Sequence, residues 1–255
     1  MNADAYLEDN ISKNPTIEVL KKLGYTYLSP EECEVQRGSK YGVILKDVLR
    51  EQLSALNGFT FGGKDYKFSR DNIERAITEL DEPLTEGLVR TSEKIYDSLM
   101  LGKSYPEYLD DGRCMNFNLK YIDWDDMSKN VFHVTEEFSV ESRDKQHNAR
   151  PDIVLFVNGI PFAVIECKSP VISVEQAVEQ NIRNQTDDYI PQLYKFAQIV
   201  VATNTNSLKY ATAGIPKKFW SIWKEEDTAF LNEKLSECVC DRLPTVQDKD
   251  LISLL

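Results

Sequence analysis

In the first hundred positions the apolar residues recur at helical spacing. In residues 15–23 (PTIEVLKKL), Ile17, Leu20 and Leu23 form one stripe and Gly24 supplies a stop. Val43, Ile44, Val48, Leu49 and Leu53 predict a second helix over 42–56, ended by Asn57-Gly58. A third helix is expected to begin at Ser69-Arg70-Asp71, and a fourth to cover 85–101 and stop at Gly102. The rhythm then changes. Residues 117–123 and 131–141 alternate as strands do, and two short apolar runs, 152–157 and 161–168, flank Asn158-Gly159. Beyond Pro170 the pattern predicts a helix over 173–187, a short one near 191–196, a buried strand at 197–203 and a further strand at 208–213. The expected fold is α/β, a mixed central sheet flanked by helices. It divides into a helix-rich part (1–115), a mixed core (116–225) and an acidic, partly helical tail (226–255).

With 255 residues, 42% apolar and 28% charged, the chain has material for a sizeable core and an ordinary soluble composition. No run approaches the length of a membrane helix, and the acidic start MNADAYLEDN is unlike a secretory signal. Five scattered cysteines, of which only Cys238 and Cys240 are close, make neither a disulfide framework nor a zinc site. A reducing, cytoplasmic setting without membrane contact is expected. Forty-two acids against 30 bases leave a net charge of −12, the wrong sign for holding duplex DNA by phosphate neutralisation alone. A protein of this charge that acts on DNA is either brought to it by others or gathers its bases on one face.

The chemistry concentrates in residues 150–170, RPDIVLFVNGIPFAVIECKSP. Strand alternation puts Glu166 and Lys168 on one face and Cys167 on the other. Whether Asp152 joins them depends on the turn. A two-residue loop at Asn158-Gly159 pairs Val157 with Ile160, which sets Asp152 opposite Ile165 and away from Glu166. A three-residue loop, or a bulge, brings Asp152 opposite Glu166. Pro161 cannot donate to the ladder, so it needs an edge or non-bonded position. If the register allows it, two carboxylates and a backbone carbonyl offer the hard oxygen ligands that Mg²⁺ prefers, with a lysine beside them to steady charge on a phosphoryl group.

Arg150-Pro151-Asp152 through Glu166-Cys167-Lys168-Ser169-Pro170 resembles the PD-(D/E)XK nuclease motif. It is most similar to the form found in the N-terminal endonuclease domain of the type I restriction enzyme R subunit. The Val157-Asn158-Gly159 turn, a Gln185-x-x-x-Tyr189 element, the segment IVVATNTNSLKYAT and, upstream, LREQLSALNGFTF extend the likeness. The resemblance implies a restriction-endonuclease-like core and Mg²⁺-dependent hydrolysis of DNA. It implies metal ligation by Asp152, Glu166 and the Cys167 carbonyl, and a catalytic role for Lys168. Gln185, Tyr189 and Arg150 would support the site or touch DNA, and Glu18 is a weaker candidate for an acid on the first helix. The implied partners are DNA, the ATP-driven translocase domains of a full-length R subunit, and methylation and specificity subunits.

Gly102-Lys103-Ser104 ends like a phosphate-binding loop, but the required first glycine is Asp97, so no ATP site is expected in this chain. His133 and His147, the only histidines, come with no nucleophile signature. Lys145, His147 and Arg150 form a short basic stretch, with Arg143 just before it. Two other functions fit the same residues: a stand-alone or repair-type nuclease, and a non-catalytic interaction domain on the same scaffold.

Overall fold

The computed structural model describes residues 12–224. The front contains α1 (Asn14–Lys22), β1 (Thr26–Tyr27), α2 (Pro30–Arg37), α3 (Lys46–Leu56), the hairpin β2 (Gly58–Phe61) and β3 (Lys64–Lys67), α4 (Arg70–Leu80) and α5 (Leu88–Leu101). A second hairpin, β4 (Lys103–Tyr108) and β5 (Cys114–Leu119), leads to β6 (Phe132–Glu136) and the short pair β7 (Val140–Glu141) and β8 (Asn148–Ala149). Then come β9 (Ile153–Val157), β10 (Ile160–Cys167), α6 (Val174–Asn184), α7 (Pro191–Tyr194), β11 (Ile199–Thr203), β12 (Leu208–Ala211) and β13 (Ser221–Ile222). The expected tail from 226 lies outside the described residues.

Seven strands form one mixed sheet in the order β1-β6-β9-β10-β11-β12-β13, so the predicted α/β class holds. The pairs β1·β6 and β10·β11 are parallel and the rest antiparallel. A parallel pair cannot be closed by a tight turn, and α6 supplies the crossover between β10 and β11. Both β9 and β10 are buried on both faces, as their near-continuous apolar sequence requires. Val154, Phe156 and Val164 share the main core with Leu49 and Leu53 of α3 and Ala177 and Val178 of α6. Ile153, Ile165 and Cys167 point the other way, into a smaller cluster with Ile17 and Leu20 of α1.

The front is less helical than its apolar pattern suggests, because both hairpins β2·β3 and β4·β5 stand outside the main sheet. The 117–123 strand ends at Leu119 and belongs to one of them. Helix α2 went unseen by periodicity because it buries only Cys33 and Arg37, yet its start is written in the sequence. The Ser29 hydroxyl accepts from the Glu32 N–H at 3.2 Å, while the Glu32 carboxylate accepts from the Ser29 N–H at 2.7 Å. The helix expected from residue 42 begins only at Lys46, because the Leu45 N–H donates instead to the Gly159 carbonyl at 2.8 Å. The run 131–141 breaks at Glu137, whose φ is 51°; its N–H donates to the Asp152 carbonyl at 3.0 Å.

Both features that set the β9–β10 register are local. Asn158 (φ 53°) and Gly159 (φ 82°) make a two-residue turn of the tightly twisted kind that hairpins favour. Val157 therefore pairs with Ile160, and Phe156 with Pro161. The register then slips by one at Phe162, so that Ala163 faces Leu155, Val164 faces Val154 and Ile165 faces Ile153. Of the two arrangements that bring Asp152 opposite Glu166, the chain uses the bulge, not the longer loop. The same slip keeps Val164 and Val154 together in the main core; without it, apolar residues of opposite faces would be paired.

Candidate functional site

Where β9 begins and β10 ends, the bulged register sets Asp152 beside Glu166. Asp152 Oδ2 accepts from the Cys167 N–H at 2.7 Å and lies 3.9 Å from Lys168 Nζ. Lys168 Nζ also donates to the Cys167 carbonyl at 2.7 Å, and the Lys168 N–H donates to Thr203 of β11 at 2.8 Å. Asp152, Glu166 and Lys168 thus converge where the central strands β9 and β10 end, with the Cys167 carbonyl among them. The Cys167 thiol is buried on the opposite face.

Glu166 is fully buried, and α6 holds both of its oxygens. Gln180 Nε2 donates to Oε2 at 2.6 Å and Asn184 Nδ2 donates to Oε1 at 3.2 Å. These residues are four apart on one helix face, so a single turn of α6 grips a single carboxylate. Asn181, also buried, fixes that turn to the sheet through the Val201 carbonyl at 3.0 Å and accepts from the buried Tyr194 hydroxyl at 3.2 Å. Burial pushes the Glu166 carboxyl well above the ordinary range, and the Asp152 charge pushes it further. Burial also raises Asp152, against the opposing pull of the Cys167 N–H and the Lys168 charge. Two acids near enough to share a proton form the electronegative pocket that a hard divalent cation relieves. Asp152, Glu166 and the Cys167 carbonyl fit such an ion as a donor set. No cluster of three His, Cys, Asp or Glu side chains suited to a metal occurs among the described residues.

The structure separates the other predicted residues from this centre. Gln185 faces away: its Nε2 donates to the Asn181 carbonyl at 3.0 Å and its Oε1 accepts from the Gly214 N–H at 2.6 Å. Tyr189 stands with its ring 5.0 Å from the Arg183 guanidinium and 5.1 Å from the His147 ring. The i, i+4 pair that reaches the carboxylate is Gln180 and Asn184, one helical turn and a fraction earlier. Sequence reasoning missed it because α6 was extended to residue 187, whereas it ends at Asn184. The signal was present, since Gln180 and Asn184 share the α6 face that carries Ala177 into the core. Arg150 is exposed and ion-paired with Glu137, itself bonded to Lys13 at 2.8 Å. Glu18 is exposed on α1 and paired with Lys21 at 2.8 Å. Burial lowers the His133 pKa, and its Nδ1 has no hydrogen-bond partner among the described residues. Gly102-Lys103-Ser104 follows the C-terminus of α5, the wrong helix end for a phosphate, in keeping with the absence of a nucleotide loop in its sequence.

Gln180→Ala is expected to leave Oε2 of a buried carboxylate unpaired, costing about 1–3 kcal/mol of stability and weakening divalent-ion binding. Gln185→Ala, which removes the bonds to the Gly214 N–H and the Asn181 carbonyl but touches neither acid, is expected to spare ion binding. Isothermal titration with Mn²⁺ separates the two; equal losses of affinity would show that α6 does not orient Glu166.

Residues 5–219 match the family model described as type I restriction enzyme R protein N terminus. The chain is 30% identical over 226 residues to a Methanocaldococcus jannaschii protein whose name, MjaIXP endonuclease subunit, assigns it to a type I restriction enzyme; the match covers 85% of this chain and 20% of that protein. It is 24% identical to the type I restriction enzyme HindI endonuclease subunit of Haemophilus influenzae, over 87% of this chain and 21% of the relative. To the EcoprrI endonuclease subunit of Escherichia coli it is 27% identical, over 81% of this chain and 59% of the relative. The chain thus spans about a fifth of the length of the first two relatives.

Proposed function

Because this chain belongs to the family of type I restriction enzyme R protein N-termini, we propose that it is the DNA-cutting domain of a restriction subunit, hydrolysing phosphodiester bonds with Mg²⁺ in defence against foreign DNA. The observation that carries the reading is the slip at Phe162, which puts Asp152 opposite Glu166 with Lys168 Nζ 3.9 Å from the aspartate. A structural role alone gives no reason to keep a fully buried glutamate beside a second acid, since isolating a carboxylate from water is costly.

When bound, Mg²⁺ supplies Lewis-acid polarisation of the phosphate and a lowered pKa for attacking water. The chain's own residues do the rest. Asp152, Glu166 and the Cys167 carbonyl hold the ion, and Gln180 and Asn184 fix the Glu166 carboxylate so that no reorientation is needed during reaction. Lys168 sits where its ammonium can orient the water and neutralise charge building on the phosphoryl oxygens. The family supports translocase domains driven by ATP, and methylation and specificity subunits, as the partners that find and feed the DNA. A net charge of −12 supports the same division of labour, because weak intrinsic grip on duplex DNA is then no handicap. No helix among the described residues is long and apolar enough to cross a membrane.

The test is plasmid cleavage with Mg²⁺ or Mn²⁺, alone and in a reconstituted restriction complex. Asp152→Ala and Lys168→Ala are each expected to reduce cleavage at least 10³-fold, on the order of 4 kcal/mol of transition-state stabilisation, with assembly and ATP hydrolysis retained. Cleavage by the isolated chain would favour a self-sufficient nuclease. Cleavage by the complex that is indifferent to both substitutions would remove the catalytic role.

A further inference from the structure

Lys168 stands one residue beyond the β10·β11 ladder, whose last pair is Cys167 with Thr203. Its place therefore depends on the span that follows, residues 169–172, before Ser173 caps α6. That span makes a turn of its own, in which the Ile172 N–H donates to the Ser169 carbonyl at 2.9 Å. Further hold comes from the turn between β11 and β12. The Thr203 carbonyl accepts from the Lys168 N–H at 2.8 Å, Asn206 Nδ2 donates to the Pro170 carbonyl at 3.2 Å, and Asn204 Nδ2 donates to the Ile172 carbonyl at 2.7 Å. Positions 168, 170 and 172 are thus all held by one turn.

Asn204 is buried and its two amide atoms do separate work. Its Oδ1 accepts from the Ser207 N–H at 3.0 Å and closes its own turn, while its Nδ2 reaches Ile172, 32 residues earlier. A backbone N–H only donates and a backbone carbonyl only accepts, so these contacts fix which way the amide lies. Closing the turn needs only the acceptor, which a serine hydroxyl also supplies. The donor half finds its use in the span after Lys168. The turn also carries a cost. Thr205 has φ 73°, rare for a β-branched residue, and its Oγ1 is buried with no partner among the described residues. Such strain persists where surrounding contacts over-determine the backbone.

We propose that Asn204 is a positioning residue for cleavage, which holds the Ile172 carbonyl and so keeps the Lys168 ammonium in place beside Asp152 and the Cys167 carbonyl; the proposal rests on the nuclease reading above. Glu166 needs no such help, because it lies inside the ladder opposite Ala202 and is gripped by Gln180 and Asn184. Helix α6 is likewise tied down without Asn204, since Asn181 donates to the Val201 carbonyl. The effect of Asn204 therefore falls on the lysine and the chemical step, not on the acids and the ion. Misplacing a reacting group by about 1 Å can cost on the order of 10²-fold in rate, so a small release of this span is enough to be read.

The experiment is plasmid cleavage by the reconstituted restriction complex in Mg²⁺, with enzyme in excess over DNA so that slow cutting is followed over hours. Asn204→Ser removes the donation to Ile172 but leaves a hydroxyl to accept from the Ser207 N–H. It is expected to lower the cutting rate by about tenfold or more. The Kd for Mn²⁺, from isothermal titration, should stay within about twofold of wild type, since both acids keep their partners. Added to Lys168→Ala, the same substitution should lower the remaining rate by less than about twofold, because an absent lysine cannot be misplaced. A further loss of about tenfold in the Lys168→Ala background would make Asn204 a general structural residue and overturn the proposal. A wild-type cutting rate in Asn204→Ser would overturn it too, as would a parallel loss of Mn²⁺ affinity, which would put the effect on the acids. If Asn204→Ser loses its cooperative thermal unfolding, the exposed change Asn206→Ala, which frees the Pro170 carbonyl, decides the same comparison with an expected loss of roughly threefold. Failure of the positioning role leaves Lys168→Ala still impaired, whereas failure of the nuclease reading leaves it active.

Discussion

Glu166→Gln is expected to abolish cleavage and, at the same time, to make the metal-free chain more stable at neutral pH. The substitution keeps the shape of a fully buried side chain but removes its ionisable carboxyl beside Asp152. Gln180 can turn its amide to accept from the new NH₂, so the grip of α6 survives. The folded wild type holds a proton on Glu166 that the unfolded chain releases in the ordinary glutamate range, because burial and the Asp152 charge raise the folded value. The folded state then binds more protons, so wild-type stability is full below that range and declines as pH rises through the raised folded value. Removing the carboxyl, and with it the proton that folding must take up, should raise the melting temperature near pH 7 by about 2–8 °C, corresponding to roughly 1–2 kcal/mol in a domain of this size. It should also flatten stability against pH above about pH 4.3, the ordinary glutamate value. Mg²⁺ should stabilise the wild type and leave the variant unmoved. A variant melting below wild type across pH 5–8 would mean that the acid pair is not mutually repulsive.

The second large effect is expected at the turn that sets the register. Gly159→Ala would add a Cβ 2.6 Å from the Leu45 carbonyl oxygen and 3.0 Å from the Leu49 nitrogen, both backbone atoms that cannot step aside cheaply. The residue also has φ 82°, where alanine is strained. Because the Gly159 carbonyl anchors the start of α3 through the Leu45 N–H, relief by moving the turn breaks that bond. The expected loss is about 3–5 kcal/mol, seen in urea unfolding as a lowered midpoint with an unchanged slope. Gly63→Ala is the comparison: φ is 79°, but no atom lies within 4 Å of the added Cβ, so only about 1 kcal/mol should be lost. Similar losses at both positions would show that positive φ alone, not the approach of α3, accounts for the cost at Gly159.

These two residues mark how far the site could be read in advance. The acid, acid and lysine types, their order and their place at strand ends all follow from residues 152–168, and Asn158-Gly159 announces its own turn. The bulge was legible as a condition, because the site closes only with one residue of slip. That the slip falls at Phe162, where Pro161 interrupts the ladder, depends on which apolar residues must face α6 and which must face α1. The second ring of the site was less accessible. A glutamine followed four residues later by a polar partner occurs both at 180–184 and at 185–189, and nothing local to α6 ranks them. The choice is made by where the helix stops and by which face it lays on β11, where Asn181 reaches the Val201 carbonyl.

The sequence by itself determined the alternation of the strands, the helix starts at Ser69 and Ser173, the turn at Asn158-Gly159 and the chemical identity of Asp152, Glu166 and Lys168. Each is a property of neighbours along the chain, set by dihedral preference and side-chain chemistry. The tertiary structure alone decided that α3 starts late, that α6 presents Gln180 and Asn184 to Glu166, and that Arg150 is taken up by Glu137. These depend on contacts between residues distant in sequence, where burial and unsatisfied hydrogen bonds outweigh local propensity by more than any short segment can signal.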